Sequence, residues 1–283
     1  MNDLLGASDL HLHTGPDQRE RWFDDSEAAE MADEHGMYAI VLKQHWTTTA
    51  DRAIIAARTA QVKTVKVVGA LVLNNAVGGL NPVALEKSLA LGARVVWMPT
   101  HDAAFHRRAH GEEGGITLAD PSRRSGLLKV VEELVDMCVD QSAIIATGHI
   151  DANEIELLAR FAQPKAGKTL VTHPEWVPTA ITLDEQRQLK ELGVMFERCA
   201  VGTTFGAGQY QRPIQEIVQQ IREIGPGSTV LSSDLGVMPG TRPFEGLIEF
   251  YDALERAGVS HEDLMLMSRD NPRRLLESEK AFT

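Results

Sequence analysis

The sequence predicts an α/β protein of the (β/α)8 TIM-barrel class, and three observations support this fold class. Apolar runs rich in β-branched residues alternate with segments of helical periodicity, as in a parallel sheet wrapped by helices. Eight such strand-helix units can be counted, which favours a closed barrel over an open sheet. The length of 283 residues suits one barrel of ordinary size. We therefore expect a single domain over residues 1–283.

Apolar runs and turn residues define the predicted elements. The strands are Ser8–His13, Ala39–His45, Lys66–Leu73, Arg94–Pro99, Ala143–Thr147, Thr169–Thr172, Val194–Arg198 and Thr229–Ser233. The helices are Ser26–His35, Asp51–Thr59, Pro82–Leu91, Leu127–Asp140, Asn153–Phe161, Asp184–Leu192, Pro213–Ile224 and Phe244–Ala257. Asp51 and Asp151 are predicted N-caps, because a carboxylate there accepts hydrogen bonds from the first-turn amides.

The segment after the fourth strand, residues 100–125, is far longer than an ordinary βα connection. It contains three histidines and four arginines. Its place in the chain predicts a lid-like loop over the barrel mouth, and a solvated loop is the alternative.

Composition and charge exclude several classes of partner. The net charge of −12 argues against nucleic-acid or acidic-membrane surfaces. No apolar run reaches the roughly eighteen residues that cross a bilayer. Cys138 and Cys199 have no cysteine nearby, so neither a zinc knuckle nor a disulfide framework is expected and a cytoplasmic location fits best. A small-molecule substrate is the expected partner. An acidic barrel of this size can also form a homo-oligomer.

Candidate metal ligands lie at the carboxyl ends of the predicted strands, where barrel enzymes assemble their sites. His11 and His13 are two apart in a strand and so point to one side. The further candidates follow strands five, six and eight and are His149, His173 and Asp234. Imidazoles and carboxylates bind borderline divalent ions, so we expect zinc, or else manganese or iron, as one or two ions.

The same arrangement suggests catalytic roles. A metal-bound water reaches a pKa of about 7 when the ion keeps an open position. Asp234 could bind the metal and accept the proton of the attacking water. Lys43 ends strand two and could bridge two metals as a carboxylated amine or anchor an anionic substrate. His45 is two residues further on and could be a ligand or a substrate contact.

Other polar and aromatic residues near these positions are candidate substrate contacts. Arginines could orient a carboxylate or phosphate through paired N–H donors, and tryptophans could form an apolar wall. The predicted substrate-binding residues are His101, Arg107, Arg198, Trp46 and Trp176; Arg108, Arg242 and Trp97 are weaker candidates, because solvated charge or core packing explains them equally well.

The ordered set of His11-x-His13, His149, His173 and Asp234, with the ending Asn271-Pro272-Arg273-Arg274-Leu275-Leu276, resembles the amidohydrolase superfamily of metal-dependent barrel hydrolases. The resemblance implies that these residues bind one or two metals and that the aspartate handles the proton of the nucleophilic water. Binuclear members usually carry a carboxylated lysine or a glutamate after strand four. Here that strand ends in Pro99-Thr100-His101-Asp102, so Lys43 would have to substitute or the site is mononuclear.

The segment from Asp9 to Thr49 also looks like the polymerase and histidinol phosphatase family. Three enzymatic hypotheses follow. The favoured one is a metal-dependent hydrolase of an amide, cyclic amide or lactone, acting on C–N bonds other than peptide bonds. The alternatives are a metal-dependent phosphoesterase and a decarboxylase or other lyase on the same metal site. A metal-binding barrel without catalysis is the fourth possibility.

Overall fold

The computed structural model describes residues 4–176, 181–203 and 211–277. Eight parallel strands alternate with helices and follow one another in the order β1 to β8, which makes the chain a (β/α)8 barrel as predicted. The strands are β1 Ser8–His13, β2 Ala39–Lys43, β3 Lys66–Val72, β4 Ala93–Trp97, β5 Ile144–Ala146, β6 Lys168–Thr172, β7 Met195–Cys199 and β8 Thr229–Ser232.

Eight helices in the described residues match the eight predicted ones to within one or two residues at each end. They are α1 Asp25–Glu34, α2 Ala50–Thr59, α3 Pro82–Ala90, α4 Ala104–Ala109, α5 Lys129–Asp140, α6 Ala152–Ala162, α7 Leu183–Lys190, α8 Ile214–Ile224, α9 Pro243–Arg256, α10 His261–Met265 and α11 Asn271–Leu276. Three short ones, α4, α10 and α11, were not predicted. None of the helices described is both long and apolar enough to cross a membrane.

The predicted caps have different outcomes. Asp151 caps α6 and accepts a hydrogen bond from the amide of Glu154, as expected. Asp51 is not an N-cap, because α2 begins one residue earlier and Asp51 lies inside its first turn. The Thr48 hydroxyl instead accepts a hydrogen bond from the Ala50 amide.

The chain forms two compact units. The first unit comprises residues 1–42, 52–68 and 198–283 and contains β1, most of β2 and β8. A parallel bridge between Leu12 and Leu235 joins the end of β1 to the residues after β8. The core of this unit is apolar and includes Leu12, Phe244 and Phe250, all buried.

The second unit comprises residues 43–51 and 69–197 and contains β4, β5 and β6. These strands pair in parallel register, with Val95 opposite Ile144 and Ile144 opposite Lys168. Trp97, the largest fully buried side chain, ends β4. The unit also carries the long segment after β4, which holds α4 instead of being wholly irregular.

Candidate metal centres

Two histidines of β1 and one aspartate converge in the first unit. His11 and His13 are buried and lie two residues apart in β1, so the alternation of the strand directs both to one side. Their Nε2 atoms lie 2.8 and 3.1 Å from the same Asp234 oxygen. Imidazole nitrogens, thiolate sulfur and carboxylate oxygen all bind borderline divalent ions, and His11, Cys199 and Asp234 each offer a ligand atom within 4.8 Å of the other two.

The backbone after β8 is shaped to present Asp234. Its amide donates to the carbonyl of His11 at 2.8 Å, and its φ of +50° is uncommon for a residue with a side chain. A Cβ atom on Gly236, whose φ is +138°, would lie only 2.0 Å from the carbonyl oxygen of His13. Glycine is therefore required there for the turn to approach β1 so closely.

The buried carboxylate of Asp9 joins β1 to the residue that follows β8 through hydrogen bonds. It accepts hydrogen bonds from the amides of His11 and Ser233, both at 3.0 Å, and from the Ser233 hydroxyl at 2.5 Å. Burial raises the pKa of Asp9, although these hydrogen bonds act in the opposite direction. The sequence assigned no role to Asp9, because its partner is 224 residues away in the chain.

The outward nitrogens of both histidines have neighbours of their own. Cys199 Sγ lies 3.9 Å from His11 Nδ1, and Arg21 Nη2 lies 3.5 Å from His13 Nδ1. Arg21 is itself paired with Asp17. The sulfur of Cys199 can accept a hydrogen bond from His11 Nδ1, which would orient that ring toward an ion, whereas the guanidinium of Arg21 only donates and can bond only to a lone pair on His13 Nδ1.

In the second unit, three imidazoles lie close together. His149 Nδ1 is 2.9 Å from His106 Nδ1, and His106 Nε2 is 3.3 Å from His101 Nδ1. Each residue can offer one nitrogen such that all three nitrogens lie within 4.8 Å of one another. The sequence missed His106 as a site residue; the only signal was the three histidines in the segment after β4.

Burial keeps two of these imidazoles neutral. Burial, with smaller contributions from the nearby His101, His110 and His173, lowers the pKa of His106 to about 3. Burial also lowers the pKa of His149 well below its usual value, helped by the neighbouring histidines and Lys43. A neutral imidazole retains the lone pair that a metal requires.

Aromatic rings surround this cluster. His173 has a φ of +28° and its ring centroid is 5.0 Å from that of His149. Trp176 packs against His106 with ring planes 19° apart. Trp46 stacks on His101 in the same way, also at 19°.

The end of β2 lies beside this cluster in the second unit. Lys43 is buried, with its Nζ 4.9 Å from the centroid of the Trp97 ring. His45 Nδ1 is 2.9 Å from the hydroxyl of Thr100, which accepts a hydrogen bond from the side-chain Nδ2 of Asn74 at 2.7 Å. Whether Lys43 and His45 act on a metal or a substrate remains a prediction.

The predicted arginines contact protein groups. Arg107 Nε donates to the carbonyl of Glu113 at 3.0 Å, and Arg198, fully buried, donates to Gln220 of α8 at 2.9 Å. Arg242 lies over the rings of Trp22 and Phe23, and Arg108 lies 3.6 Å from Asp151. Their contact with a substrate remains a prediction.

The structure therefore groups the predicted residues in two sets. His11, His13 and Asp234 meet in the first unit. In the second, His149 and His173 lie with His101, Trp46 and Trp176. The five-ligand set predicted from the sequence remains a prediction.

Comparison with known proteins gives a family and a fold. The model of a family of unknown function, DUF6282, matches residues 6–197. A search of curated proteins gives no match. Among solved structures, an amidohydrolase from Pseudomonas aeruginosa has a TM-score of 0.62 at 12% identity, covering 95% of this chain and 95% of its own.

Two further solved structures are similar over nearly their whole length. The probable dipeptidase PvdM from Pseudomonas aeruginosa has a TM-score of 0.63 at 10% identity, with 96% of this chain and 94% of its own covered. An organophosphorus hydrolase from Deinococcus radiodurans has a TM-score of 0.62 at 13% identity, with 96% and 93% covered. At these identities the likeness shows the fold alone, and it confirms the predicted (β/α)8 barrel.

Proposed function

The chain belongs to DUF6282, a family of unknown function, and from this barrel we propose that it is a metal-dependent hydrolase of a small molecule. The observation that supports the proposal is the convergence of His11 Nε2 and His13 Nε2 on one oxygen of Asp234. All three residues lie at the carboxyl ends of β1 and β8, the end where barrel enzymes carry their sites.

The donor set fits a divalent ion of the zinc, manganese or iron class, with zinc favoured by the two imidazoles. Such an ion, when bound, lowers the pKa of a coordinated water to about 7 and polarises a carbonyl group. His11 and His13 would hold it, and Asp234 would share in binding. Lys43, His149 and His173 remain predicted ligands.

The proposed metal ligand His11 and the proposed general base Asp234 differ in the solvent exposure of their side chains. The His11 side chain is fully buried, whereas that of Asp234 is 15% exposed. The carboxylate can therefore reach both its histidine neighbours and an incoming substrate, which suits a general base that takes the proton of the attacking water. Asp9 holds the backbone of His11 and Ser233 and so preserves this geometry.

We propose an amide, cyclic amide or lactone as the bond cleaved, because a divalent ion, when bound, would polarise its carbonyl group and Asp234 would take the proton of the attacking water. The structural neighbours include an organophosphorus hydrolase, so a phosphoester is the second candidate to be assayed. Arg107 donates a hydrogen bond to the backbone carbonyl of Glu113, so its position does not favour a phosphoester over a carbonyl substrate.

The test is a metal analysis joined to a substrate panel. Protein purified without chelator is expected to contain near-stoichiometric metal and to hydrolyse members of an amide and lactone panel. Asp234→Asn should lower kcat by about 100- to 10,000-fold, with metal retained or weakened. The matched control is Asp184→Asn, because the Asp184 side chain is 82% exposed and should leave kcat unchanged.

Each contrary outcome has a definite meaning. A protein free of metal and inactive on the panel contradicts the hydrolase. Full activity in Asp234→Asn contradicts the role given to that carboxylate. Turnover of phosphoesters alone, or release of carbon dioxide without incorporation of water, would replace the proposed reaction with one of the alternatives.

A further inference from the structure

We infer that Asn74 and Thr100 fix His45 as the neutral imidazole that carries its hydrogen on Nε2, so that His45 donates a hydrogen bond to the substrate and is not a metal ligand. The three residues follow β3, β4 and β2 respectively, all within the second unit. The role given to His45 rests on the proposed hydrolase function, whereas its tautomer can be measured without any substrate.

The side-chain amide of Asn74 has one orientation that its neighbours allow. Its Oδ1 accepts hydrogen bonds from the backbone amides of Thr100 at 2.8 Å and Asp102 at 3.4 Å. Its Nδ2 donates to the carbonyl of His45 at 3.1 Å and to the Thr100 hydroxyl at 2.7 Å, so both of its hydrogens are used. A rotated amide would turn Nδ2 toward two N–H donors, which excludes that orientation.

The hydroxyl of Thr100 transmits this orientation to His45. Because Asn74 Nδ2 is only a donor, the hydroxyl oxygen accepts from it and the hydroxyl hydrogen remains to be donated. Within the part of the chain that the structure describes, the one acceptor for that hydrogen is His45 Nδ1, 2.9 Å away, and Thr100 is fully buried. His45 Nδ1 therefore holds a lone pair, and the hydrogen of the neutral ring is on Nε2.

The opposite tautomer, which metal binding at Nε2 would need, is unfavourable here. It places the hydrogen on Nδ1 of His45, where it would point at a hydroxyl oxygen that already accepts from Asn74. The hydroxyl hydrogen of Thr100 would then lose its acceptor among the described residues, and a buried donor left without a partner destabilises the fold. A metal bound at Nδ1 would have to displace the Thr100 hydroxyl itself.

The position of His45 suits a donor to a substrate oxygen. His45 lies at the carboxyl end of β2, the end where barrel enzymes carry their sites, and it is 9% exposed, whereas Asn74 and Thr100 are fully buried. The rings of His101 and Trp46 border it, with centroids 4.2 and 6.0 Å from its own, and limit its rotation. A preorganised N–H donor stabilises the negative charge that develops on a carbonyl oxygen during hydrolysis. The inference therefore favours a substrate with a carbonyl group.

The tautomer is tested by nitrogen-15 NMR of protein labelled at the imidazole nitrogens, in the presence of Zn²⁺. The His45 signals are those absent from His45→Gln, and in the unmodified protein they should show the hydrogen on Nε2. Asn74→Asp puts a carboxylate oxygen in place of the Nδ2 donor. That oxygen should accept the Thr100 hydroxyl hydrogen and so move the His45 hydrogen to Nδ1. Asn75→Asp is the matched control, because Asn75 is exposed, and should leave the tautomer unchanged.

A second measurement separates a substrate donor from a metal ligand. His45→Gln keeps an N–H donor near the position of Nε2, whereas His45→Leu has none. For a substrate found on the amide and lactone panel, kcat should fall by less than about 10-fold in His45→Gln and by about 100- to 1,000-fold in His45→Leu. Both variants should retain the metal content of the unmodified protein, because neither loses a ligand. His261→Leu is the control for kcat, because the His261 side chain is 69% exposed.

Four outcomes would overturn the inference. They are a hydrogen on Nδ1 of His45 in the unmodified protein, an unchanged tautomer in a folded Asn74→Asp, loss of metal in His45→Gln, and equal kcat in His45→Gln and His45→Leu. If Asn74→Asp does not fold, the spectrum of the unmodified protein still decides the tautomer. A metal-free and inactive protein contradicts the hydrolase and with it the substrate role of His45, whereas the tautomer set by Asn74 and Thr100 is decided by the spectrum in either case.

Discussion

Gly148 precedes His149, and its replacement by alanine tests how tightly β4 and β5 hold that histidine. Gly148 has a φ of +59°, and a Cβ atom there would lie 2.4 Å from the carbonyl oxygen of Met98 and 2.7 Å from that of Pro99. Real Cβ contacts are essentially never shorter than 3.0 Å, so the chains must separate by at least 0.6 Å, the difference between 3.0 and 2.4 Å. The Pro99 carbonyl also accepts the hydrogen bond from His149.

The magnitude follows from two contributions. The left-handed backbone costs an alanine about 1–2 kcal/mol, and forcing an atom into a packed site costs about 1–3 kcal/mol more. We therefore expect Gly148→Ala to lower the free energy of unfolding by about 2–5 kcal/mol. Gly193→Ala is the matched control, because Gly193 has a φ of +73° with no atom within 4 Å of the added Cβ. It should cost only the backbone contribution of about 1–2 kcal/mol.

The assay is urea unfolding of both variants, followed by circular dichroism, with metal-free protein so that ligand binding does not contribute. Equal losses in Gly148→Ala and Gly193→Ala would refute the reasoning, because the predicted close contact would then contribute nothing. A larger loss in Gly193→Ala would refute it more strongly.

Three further predictions address the first unit and the core. Hydrogen bonds from the backbone lower the pKa of Asp33, so the ionised carboxylate stabilises the fold at pH values above its ordinary pKa. Asp33→Asn should therefore destabilise the protein at pH 7. In unfolding curves measured at decreasing pH, this difference should vanish as the pH falls through the lowered pKa. Ser233→Ala removes a hydrogen bond to the buried carboxylate of Asp9 and should lower the free energy of unfolding by about 1–3 kcal/mol in urea. Ser88→Ala, whose buried hydroxyl donates to the Ala84 carbonyl one turn earlier in α3, should cost less than about 1 kcal/mol, and equal costs would contradict this. Cys199→Ala should weaken zinc binding by about 10-fold in chelator competition, and Cys138→Ala, the control, should leave it unchanged. Equal zinc affinities of the two variants would show that the contact between Cys199 and His11 does not contribute to binding.

Local patterns predicted the elements well. β1 lies at Ser8–His13 as predicted, and the other strands differ at their ends by one or two residues, because apolar runs and turn residues are properties of neighbouring positions. The short helix α4 was missed, since six residues carry too weak a periodicity and such a helix depends on tertiary contacts. Asp51 was predicted to be an N-cap, but α2 begins one residue earlier, at Ala50, so Asp51 lies in its first turn.

The candidate ligands show the same division. His11, His13 and Asp234 could be predicted because strand ends of a parallel barrel share one face, and the structure brings these three together. His106, Asp9 and Cys199 could not, because their importance lies only in partners far along the chain.

The amino-acid pattern by itself determined the order of strands and helices and the strand ends at which metal-binding chemistry collects, since both depend on periodicity and local spacing. Only the tertiary structure decided which nitrogen of each imidazole faces which neighbour and which histidine of the long segment after β4 turns inward. Those choices depend on hydrogen bonds and ring packing between residues that the sequence places far apart, such as His106 with His149 and Asp9 with Ser233.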